Sequence, residues 1–332
     1  MAEKTIGELD KNDLKNCRAK IAAAKSEMQK IVIGQDETVD ALFRAMLADG
    51  HVLIEGVPGI AKTLIMVALS QTTGTDFKRI QFTPDMLPSD IVGISTYDPK
   101  KGFTTIKGPV FTNLVLADEI NRASPKVQST MLEAMQERQV TIAGETFGIQ
   151  HPFLVLATQN TMESLGVYTL PAAQLDRFLF KLNMGYLTPE QEKTVLKKNT
   201  TIYKLEDFGV AKVLKKEDIL EYQKLTHKIY LGDEVEEYII NLVNATRYPQ
   251  KYGIELGKYV QYGASPRASI GLYIAAKAQA LIKGQTFVTS EHVKEVAHDV
   301  LRHRVFLNYE GQAEEIDEDK IIAEILAKVP VE

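Results

Sequence analysis

The sequence predicts an α/β fold in which helices cover a parallel sheet, followed by an all-helical C-terminal part. Two observations carry this prediction. Short apolar runs alternate with helical patterns in the first half of the chain, and strand patterns stop after Pro189. The runs are bounded by Gly, Pro, Asp or Asn and lie at 51–55, 77–82, 113–117, 153–157 and 178–182. Short runs of this kind, with helices between them, are typical of a parallel sheet covered on both faces.

Composition and charge narrow the class of protein. The chain has 332 residues, of which 45% are apolar, and this is enough for a sizeable core and for two domains. The net charge of -5 does not indicate nucleic-acid or membrane binding. Cys17 is the only cysteine, so an intrachain disulfide and a thiolate metal cluster are excluded. The N-terminus lacks the apolar core of a signal peptide, and we expect a cytoplasmic protein without membrane insertion.

The chain is expected to divide into three parts. Residues 1–30 have apolar positions at helical spacing and predict an N-terminal helix, 31–188 form the α/β core, and 189–332 form the helical domain. Helices of the last domain are predicted at 190–199, 216–246, 265–283 and 290–304. Thr188, Ser265 and Thr289 are suited to cap the N-termini of three of them.

Two stretches of the core do not fit a simple alternation of strand and helix. Residues 83–112 carry too many prolines and glycines for one helix. Residues 138–151 alternate apolar and polar side chains around Ala143-Gly144, a pattern that favours a β-hairpin. Surface loops are the alternative interpretation of both stretches.

The most specific motif is a glycine-rich loop between the apolar run 51–55 and a helical stretch. Its residues, with the first of the helix after them, are Gly56, Val57, Pro58, Gly59, Ile60, Ala61, Lys62, Thr63 and Leu64. In this context backbone N–H groups surround phosphates, Lys62 reaches the β and γ oxygens, and the Thr63 hydroxyl can bind Mg²⁺. Ala61 stands where glycine usually precedes the lysine. Alanine is tolerated there if its φ is helical, because only a positive φ demands glycine.

Two carboxylates follow the apolar run that ends at Ala117. A buried strand ending in Asp118 and Glu119 delivers both side chains to the carboxyl edge of the sheet, where ligands of α/β proteins bind. Asp118 is then placed to hold Mg²⁺ and Glu119 to polarise the attacking water. Taken alone, the pattern also fits a strand end with solvated acids. Its position downstream of a phosphate-binding loop favours the catalytic interpretation.

Three further residues are candidates for contact with a phosphate. Asn160 follows the next apolar run and could hydrogen-bond the water or the γ-phosphate, although a turn-forming Asn is the alternative. Arg177 directly precedes the last apolar run, and either a trans-acting arginine or a surface pair with Asp176 would explain it. Arg267 lies in the first turn of a predicted helix, where a cation opposes the helix dipole and a phosphate would favour it.

In this order, the motifs resemble those of AAA+ ATPases and most closely those of the MoxR family. The resemblance runs from about Ile33 to Arg304 and is most specific over 116–142. The other strings that carry it are Ile33-Gly34-Gln35, EGVPGIAKT (55–63), FTPDMLPSDIVG (82–93), GPVF (108–111), LATQN (156–160), LPAAQLDRF (170–178), GASPRA (263–268) and VLRHR (300–304).

The resemblance implies a five-stranded αβα core and a helical lid, in subunits that form a hexameric ring and hydrolyse ATP with Mg²⁺. Residues 83–112 would be an insert within helix 2, and 138–151 the hairpin before the sensor strand. Ile33 and Gly34 would lie by the adenine. Lys62 and Thr63 would belong to Walker A, Asp118 and Glu119 to Walker B, Asn160 to sensor 1 and Arg267 to sensor 2. Arg177 resembles the arginine finger that acts on the neighbouring subunit, with Arg122 and Arg138 as alternatives.

The expected function is ATP hydrolysis coupled to the remodelling or maturation of a partner protein. MoxR-type ATPases typically work with proteins that carry a von Willebrand A domain, as chaperone-like or metal-insertion machines. Alternatives are a magnesium-chelatase-like motor subunit, a DNA-acting motor and a nucleotide-gated scaffold that does not hydrolyse ATP. The acidic net charge argues against the DNA-acting motor. The complete set of candidate residues argues against the scaffold.

Overall fold

The structure is a computed structural model that describes residues 10–56, 59, 61–100, 102–160, 166–198 and 209–331. The strands are β1 (Val52–Gly56), β2 (Phe77–Gln81), β3 (Gly93–Asp98), β4 (Gly102–Lys107), β5 (Leu114–Asp118), β6 (Gln139–Ile142), β7 (Glu145–Gly148), β8 (Leu154–Gln159), β9 (Phe180–Met184), β10 (Val260–Tyr262) and β11 (Phe306–Leu307). The helices are α1 (Lys11–Met28), α2 (Asp36–Leu47), α3 (Lys62–Thr73), α4 (Pro88–Val92), α5 (Pro125–Glu137), α6 (Ala172–Leu175), α7 (Pro189–Lys198), α8 (Lys216–Lys228), α9 (Asp233–Arg247), α10 (Pro266–Ile282), α11 (Ser290–Leu301), α12 (Tyr309–Ala313) and α13 (Glu318–Lys328).

The predicted parallel sheet is confirmed. Five strands pair in parallel in the order β2-β5-β8-β1-β9. The side chains of β8 are buried along its whole length, as are those of β5 up to Ala117. These strands therefore read as continuous apolar runs rather than as alternating patterns. The parallel arrangement brings the carboxyl ends of all five strands to one edge, and this edge carries the candidate site.

Alternate residues of the central strands pack into two hydrophobic clusters, one on each face of the sheet. One cluster contains Leu53, Val115 and Val155 and is completed mainly by α5. The other contains Ile54 and Leu116 and joins the sheet to α1, α2, α3 and the helices of the C-terminal part. One continuous core thus links the N-terminal helix, the sheet and the lid helices. The proposed boundaries at residues 30 and 188 stay predictions.

The two unusual stretches of the core contain antiparallel hairpins. Residues 83–112 form α4 followed by the β3–β4 hairpin, and 138–151 contain the β6–β7 hairpin that the alternation indicated. The turn of the second hairpin uses Ala143 and Gly144 with φ of 50° and 86°. Positive φ at both central residues is the conformation that matches the twist of the flanking strands.

The C-terminal part differs from the prediction in several places, and it contains two helices, α12 and α13, beyond the four that were predicted. The helix expected over 216–246 is two helices, α8 and α9, separated by a short extended segment in which Tyr230 pairs with Phe287. In addition, β10 and β11 form a small antiparallel sheet where only helices were expected. Strands of two or three residues that pair across more than 40 residues leave no periodic pattern to detect. The irregular connection expected over 200–214 lies mostly outside the described residues.

Two of the predicted helix caps are directly visible. The Ser265 side chain accepts a hydrogen bond from the Arg267 backbone at the start of α10, and Thr188 Oγ1 accepts one from the Gln191 backbone in α7. Each satisfies a donor that the first helical turn leaves unpaired. Across the part of the chain that the structure describes, no helix combines the length and apolar character needed to cross a membrane.

Candidate nucleotide-binding site

A cleft of about 660 Å³ lies at the carboxyl edge of the sheet and brings most of the predicted residues together. The predicted residues that line it are Ile33, Gly56, Gly59, Ala61, Lys62, Thr63, Leu64, Asp118, Glu119 and Asn160. Val57, Pro58 and Ile60 lie outside the described residues. A larger cleft, of about 1470 Å³, lies in the C-terminal part around Tyr230 and Phe287 and contains none of these candidates. The larger of the two clefts is therefore not the one that holds the candidate residues.

The phosphate-binding loop connects β1 to α3, as the motif predicts. Lys62 begins α3, and its Nζ donates a hydrogen bond to the carbonyl oxygen of Gly56 at 3.2 Å. Burial lowers the pKa of Lys62, and the negative charges of Asp118 and Glu119 oppose this effect. The two carboxylates therefore help to keep the ammonium group charged in a partly buried position.

The backbone at Ala61 does not meet the condition under which alanine is tolerated without strain. Ala61 has φ of 64° and ψ of 24°, which is the left-handed conformation and not a helical one. A Cβ in this region clashes with the following carbonyl and costs about 1 kcal/mol. This cost explains why glycine usually stands before the lysine. Ala61 adopts the left-handed conformation in spite of the strain.

Asp118 is held by two neighbours. Its Oδ1 accepts a hydrogen bond from the Thr158 hydroxyl at 2.7 Å, and its Oδ2 accepts two from Arg79, of which the shorter is 2.6 Å. Thr158 lies on β8 and Arg79 on the edge strand β2. The carboxylate is thus fixed between two strands, and its charge is balanced by a guanidinium group that also lines the cleft.

Glu119 leaves the end of β5 in the left-handed conformation, with φ of 58° and ψ of 48°. Its backbone N–H donates to Thr158 Oγ1 at 2.8 Å. Its Oε2 accepts hydrogen bonds from Gln81 at 2.8 Å and from Arg122 at 3.1 Å. The strained backbone turns the carboxylate into the cleft, and two donors on different elements orient it.

Arg79, Gln81 and Thr158 were not among the residues expected from the sequence. The signal for Gln81 was its place at the end of a strand, because it lies in register with Asp118 across the β2–β5 pair. A polar residue at the carboxyl end of a neighbouring strand is therefore the sequence pattern that indicates Gln81. For Arg79 and Thr158 no local signal separates them from ordinary sheet residues.

Asn160 lies just after β8 and lines the same cleft as Glu119. Its carbonyl oxygen accepts a hydrogen bond from the Asn121 side chain at 3.3 Å, which links the end of β8 to the turn that follows Glu119. Ile33 also lines the cleft, together with residues that the sequence did not indicate, namely Ile31, Val32, Tyr186, Leu187 and Val195. These residues give an apolar wall suited to a flat aromatic group such as an adenine.

Gly34 stands beside this apolar wall with φ of 70°. A Cβ at this position would lie 2.5 Å from the side-chain amide carbon of Gln191 in α7. Glycine is required here both for the backbone conformation and for the close approach of α7. Gly34 therefore positions the wall of the cleft.

Arg177 and Arg267 line a second, smaller cleft of about 210 Å³, together with His51, Met135, Gln136 and Asp176. Both arginines are exposed, and within the described ranges neither forms an ion pair. The Arg177 side chain donates a hydrogen bond to the carbonyl oxygen of Leu132 at 3.3 Å. The structure thus separates the candidate residues into a cleft with the loop and carboxylates and a cleft with two arginines.

The two alternatives to Arg177 are both engaged within the chain. Arg138 donates to the backbone carbonyls of Phe153 and Asp49 and pairs with the Asp49 carboxylate at 3.1 Å. Arg122 pairs with Glu119 at 3.1 Å. Arg138 therefore supports the local fold, and Arg122 is paired with a carboxylate that lines the cleft of its own chain.

Comparison with known proteins agrees with this architecture. Residues 51–180 match the ATPase family associated with various cellular activities (AAA), and residues 257–325 match the AAA lid domain. Chaperone MoxR1 of Mycobacterium tuberculosis is 44% identical to this chain over 91% of the chain and 80% of its own length. This chain belongs to the MoxR family of AAA+ ATPases. Protein YeaC of Bacillus subtilis is 42% identical over 94% of the chain and 95% of its own length.

A crystal structure of a protein from Cytophaga hutchinsonii is similar to this MoxR-family chain, with a TM-score of 0.90 and 46% identity over 97% of both chains. The magnesium-chelatase interpretation has weaker support. A magnesium-chelatase subunit ChlI homologue of Methanocaldococcus jannaschii is 26% identical over 58% of this chain.

The oxygen donors of the cleft fit a magnesium ion that is bound together with phosphates. Mg²⁺ is usually held by one or two carboxylates, water and phosphate oxygens rather than by an all-protein cage. Asp118 and Thr63 supply a carboxylate and a hydroxyl to the same cleft. Among the described residues of this MoxR-family chain, no cluster of three or more His, Cys, Asp or Glu side chains could hold a metal ion on its own.

Proposed function

We propose that this MoxR-family chain hydrolyses Mg·ATP at the carboxyl edge of its sheet and uses the reaction to remodel or mature a partner protein. The observation that carries the proposal is the convergence of Lys62, Asp118, Glu119 and Asn160 on one cleft beside the phosphate-binding loop. These are a cation, a metal-binding carboxylate, a water-polarising carboxylate and a polar amide, and ATP hydrolysis requires each of these groups.

The chain's own residues divide the work in the following way. Lys62 and the loop backbone bind the β and γ phosphates, and Ile33 contacts the adenine. Thr63 and Asp118 would hold Mg²⁺, which when bound neutralises charge on the phosphates. Glu119 orients the attacking water and accepts its proton, and Gln81 and Arg122 keep that carboxylate in place. Asn160 binds the same water or the γ-phosphate.

Arg177 and Arg267 complete the site of a neighbouring subunit in this proposal. They lie in a separate cleft and are exposed, and Arg138 and Arg122 are already engaged in their own chain. A ring of identical subunits would bring each arginine cleft to the nucleotide cleft of its neighbour. The MoxR resemblance favours a hexamer. An arginine supplied in trans is worth on the order of 10³–10⁵ in rate where it has been characterised.

The β3–β4 hairpin supports a role in binding a partner protein. Tyr97 and Phe103 pair across its strands with ring centroids 5.2 Å apart, and their exposed fractions are 66% and 80%. Tyr and Phe are enriched at protein interfaces relative to the rest of a protein surface. The name Chaperone MoxR1 of a relative agrees with a chaperone-like activity. Proteins with a von Willebrand A domain are the partners that the family resemblance suggests, and metal insertion is one form of maturation. The cytoplasm is the proposed location.

Phosphate release from purified protein tests the hydrolysis. Glu119→Gln should still bind Mg·ATP but turn it over roughly 10²–10⁴-fold more slowly, because it retains the shape of the side chain and loses the base. Lys62→Ala should lose nucleotide affinity and turnover while remaining folded. Unchanged turnover in Glu119→Gln, or normal ATP affinity in a folded Lys62→Ala protein, would refute these assignments.

A mixing experiment tests the action in trans. Arg177→Ala subunits keep a complete nucleotide cleft, whereas Lys62→Ala subunits keep a complete arginine cleft. Each population alone should be nearly inactive. Mixed rings contain interfaces at which an intact cleft faces intact arginines, so turnover should reappear on mixing. If mixed rings form and no activity returns, Arg177 does not act across the boundary.

A further inference from the structure

Asp176 lies where the core meets the lid, and its two carboxylate oxygens are each bound by a different element. Oδ1 accepts a hydrogen bond from Arg304 Nε at 2.7 Å, and Oδ2 accepts one from the Ser265 hydroxyl, also at 2.7 Å. Asp176 directly precedes Arg177. Ser265 caps the helix that carries Arg267 two residues later. One carboxylate therefore joins the backbone segments of both exposed arginines.

Arg304 is the buried anchor of this arrangement, with an exposed fraction of 3%. Its remaining donors reach the carbonyl oxygens of Asp176 at 3.3 Å, Phe178 at 2.7 Å and Leu179 at 3.2 Å, and that of Val300. Nearly all of its hydrogen bonds thus go to the segment that contains Arg177. A buried guanidinium group is stable only with a close counter-charge, and Asp176 provides it.

Asp176 is one negative charge close to three arginines, Arg177, Arg267 and Arg304. Burial lowers the pKa of Arg304, Asp176 raises it, and the nearby charge of Arg267 lowers it again. The single carboxylate is committed to Arg304 by their ion pair at 2.7 Å. The charges of Arg177 and Arg267 are therefore left available at the surface of the cleft, where an external anion would compensate them.

We propose that Asp176, tied to Arg304 and Ser265, is a positioning residue that holds Arg177 of the core and Arg267 of the lid in a fixed mutual arrangement. The two arginines then meet one triphosphate as a single preformed unit, without a separate ordering step for each. The inference rests on the proposed function, in which the triphosphate belongs to the neighbouring subunit.

Ser265→Ala is the informative variant, because Asp176→Asn removes the counter-charge of a buried arginine and endangers the fold. Ser265→Ala leaves the Arg304–Asp176 pair in place, releases the lid from Asp176 and also removes the cap hydrogen bond at the start of α10. We expect turnover to fall about 10- to 100-fold, since displacements of about 1 Å cost up to 10²-fold. Nucleotide affinity, measured by binding of a fluorescent ATP analogue, should stay unchanged. Ser265→Thr retains the hydroxyl and should restore turnover.

Asn308→Ala is the matched control. Asn308 caps another lid helix, where its side chain accepts a hydrogen bond from Gly311 at 2.8 Å, so its loss weakens a lid cap at a different place. If Asn308→Ala lowers turnover as much as Ser265→Ala at equal loss of thermal stability, the effect is a general loosening of the lid and the inference is wrong.

Mixing separates the positioning role from a defect within the variant's own cleft. Ser265→Ala subunits combined with Lys62→Ala subunits should regain turnover, because the latter supply correctly held arginines. Arg177→Ala combined with Lys62→Ala is measured in parallel. If only the Arg177→Ala mixture recovers, the positioning inference fails and the trans mechanism stands. If neither mixture recovers although mixed rings form, the trans mechanism fails and the inference falls with it.

Discussion

Acidification below pH 6.5 should destabilise this protein through two buried histidines, His51 and His303. His51 Nε2 donates to the carbonyl oxygen of Met135 at 3.0 Å, and its Nδ1 accepts from the Val155 backbone at 3.0 Å. Both ring nitrogens are thus used by the neutral form. His303 Nε2 lies 3.0 Å from the carbonyl oxygen of Phe178, the residue after Arg177. Protonation of either ring would place a charge in the interior.

The direction of the effect follows from the shift of each pKa. Burial holds the pKa of both histidines well below 6.5, and the nearby charge of Arg138 for His51 and of Arg304 for His303 lowers it further. As the pH falls below 6.5, the two histidines therefore bind protons in the unfolded chain before they do so in the folded chain. The stabilisation by the neutral histidines is fully present above pH 6.5 and is lost as the pH falls below it.

The size of the loss has an upper limit, because each unfolded histidine takes up one proton. Each histidine costs at most about 1.4 kcal/mol of stability for every pH unit below 6.5, until its folded pKa is reached. At pH 5.5 the two together cost up to about 3 kcal/mol relative to neutral pH. Domain stabilities are about 5–15 kcal/mol, so this loss should be easily measured.

Urea unfolding at pH 7.5, 6.5 and 5.5 tests the argument with His51→Gln and His303→Gln. Each variant should be less stable than the parent at pH 7.5, because a buried hydrogen bond is lost. The difference between variant and parent should then shrink by up to about 1 kcal/mol between pH 6.5 and 5.5, because the unfolded histidine is already half protonated at pH 6.5. His151→Gln, at an exposed position, shows the effect of losing any one histidine. A difference that stays constant with pH would refute the reasoning.

Three further predictions concern the loop, the metal-binding carboxylate and the lone thiol. Ala61→Gly relieves the left-handed strain and should raise the free energy of unfolding by up to about 1 kcal/mol. Ala23→Gly, on the exposed face of α1, is the control and should lower the free energy of unfolding by a similar amount. Equal losses of stability in the two variants would contradict the positive φ of Ala61. Arg79→Gln removes the counter-charge of Asp118 and should lower the Mg²⁺ concentration needed for nucleotide binding. Lys78→Gln, on the same strand, is the control. An unchanged Mg²⁺ dependence would show that Arg79 does not compete with Mg²⁺ for Asp118. Cys17 is buried, and burial is the main cause that raises the pKa of its thiol to about 12. Iodoacetamide should therefore label Cys17 only after unfolding. Rapid labelling of the native protein would contradict this burial.

The parts of the fold that could be predicted from the sequence are those that produce a pattern within a few consecutive residues. The five strands were visible as short apolar runs, and the loop, Asp118 and Glu119 were visible because the chemistry fixes their order and spacing along the chain. The β6–β7 hairpin was visible because alternation around Ala143-Gly144 is confined to a few residues. Each of these signals depends on neighbours in the sequence rather than on neighbours in space.

The remaining features depend on contacts between distant segments. The ion pair of Arg79 with Asp118 joins residues 39 positions apart, and the contact of Arg304 with Asp176 joins residues 128 apart. Ala61 has a positive φ at the start of α3 although alanine prefers negative φ, and nothing in its immediate sequence indicates this. The arginines Arg177 and Arg267 share a cleft only because the lid packs on the core, and no spacing rule relates their positions.

The left-handed backbone of Glu119 has a consequence for protein engineering. A residue with a Cβ is strained at φ of 58°, and Gly or Asn would relieve roughly 1 kcal/mol of that strain. Either replacement would remove the carboxylate on which hydrolysis is proposed to depend. A screen that rewards heat resistance and ignores turnover would therefore drive this position towards inactive sequences. Thermostable variants of this protein should be evolved with residue 119 held as glutamate.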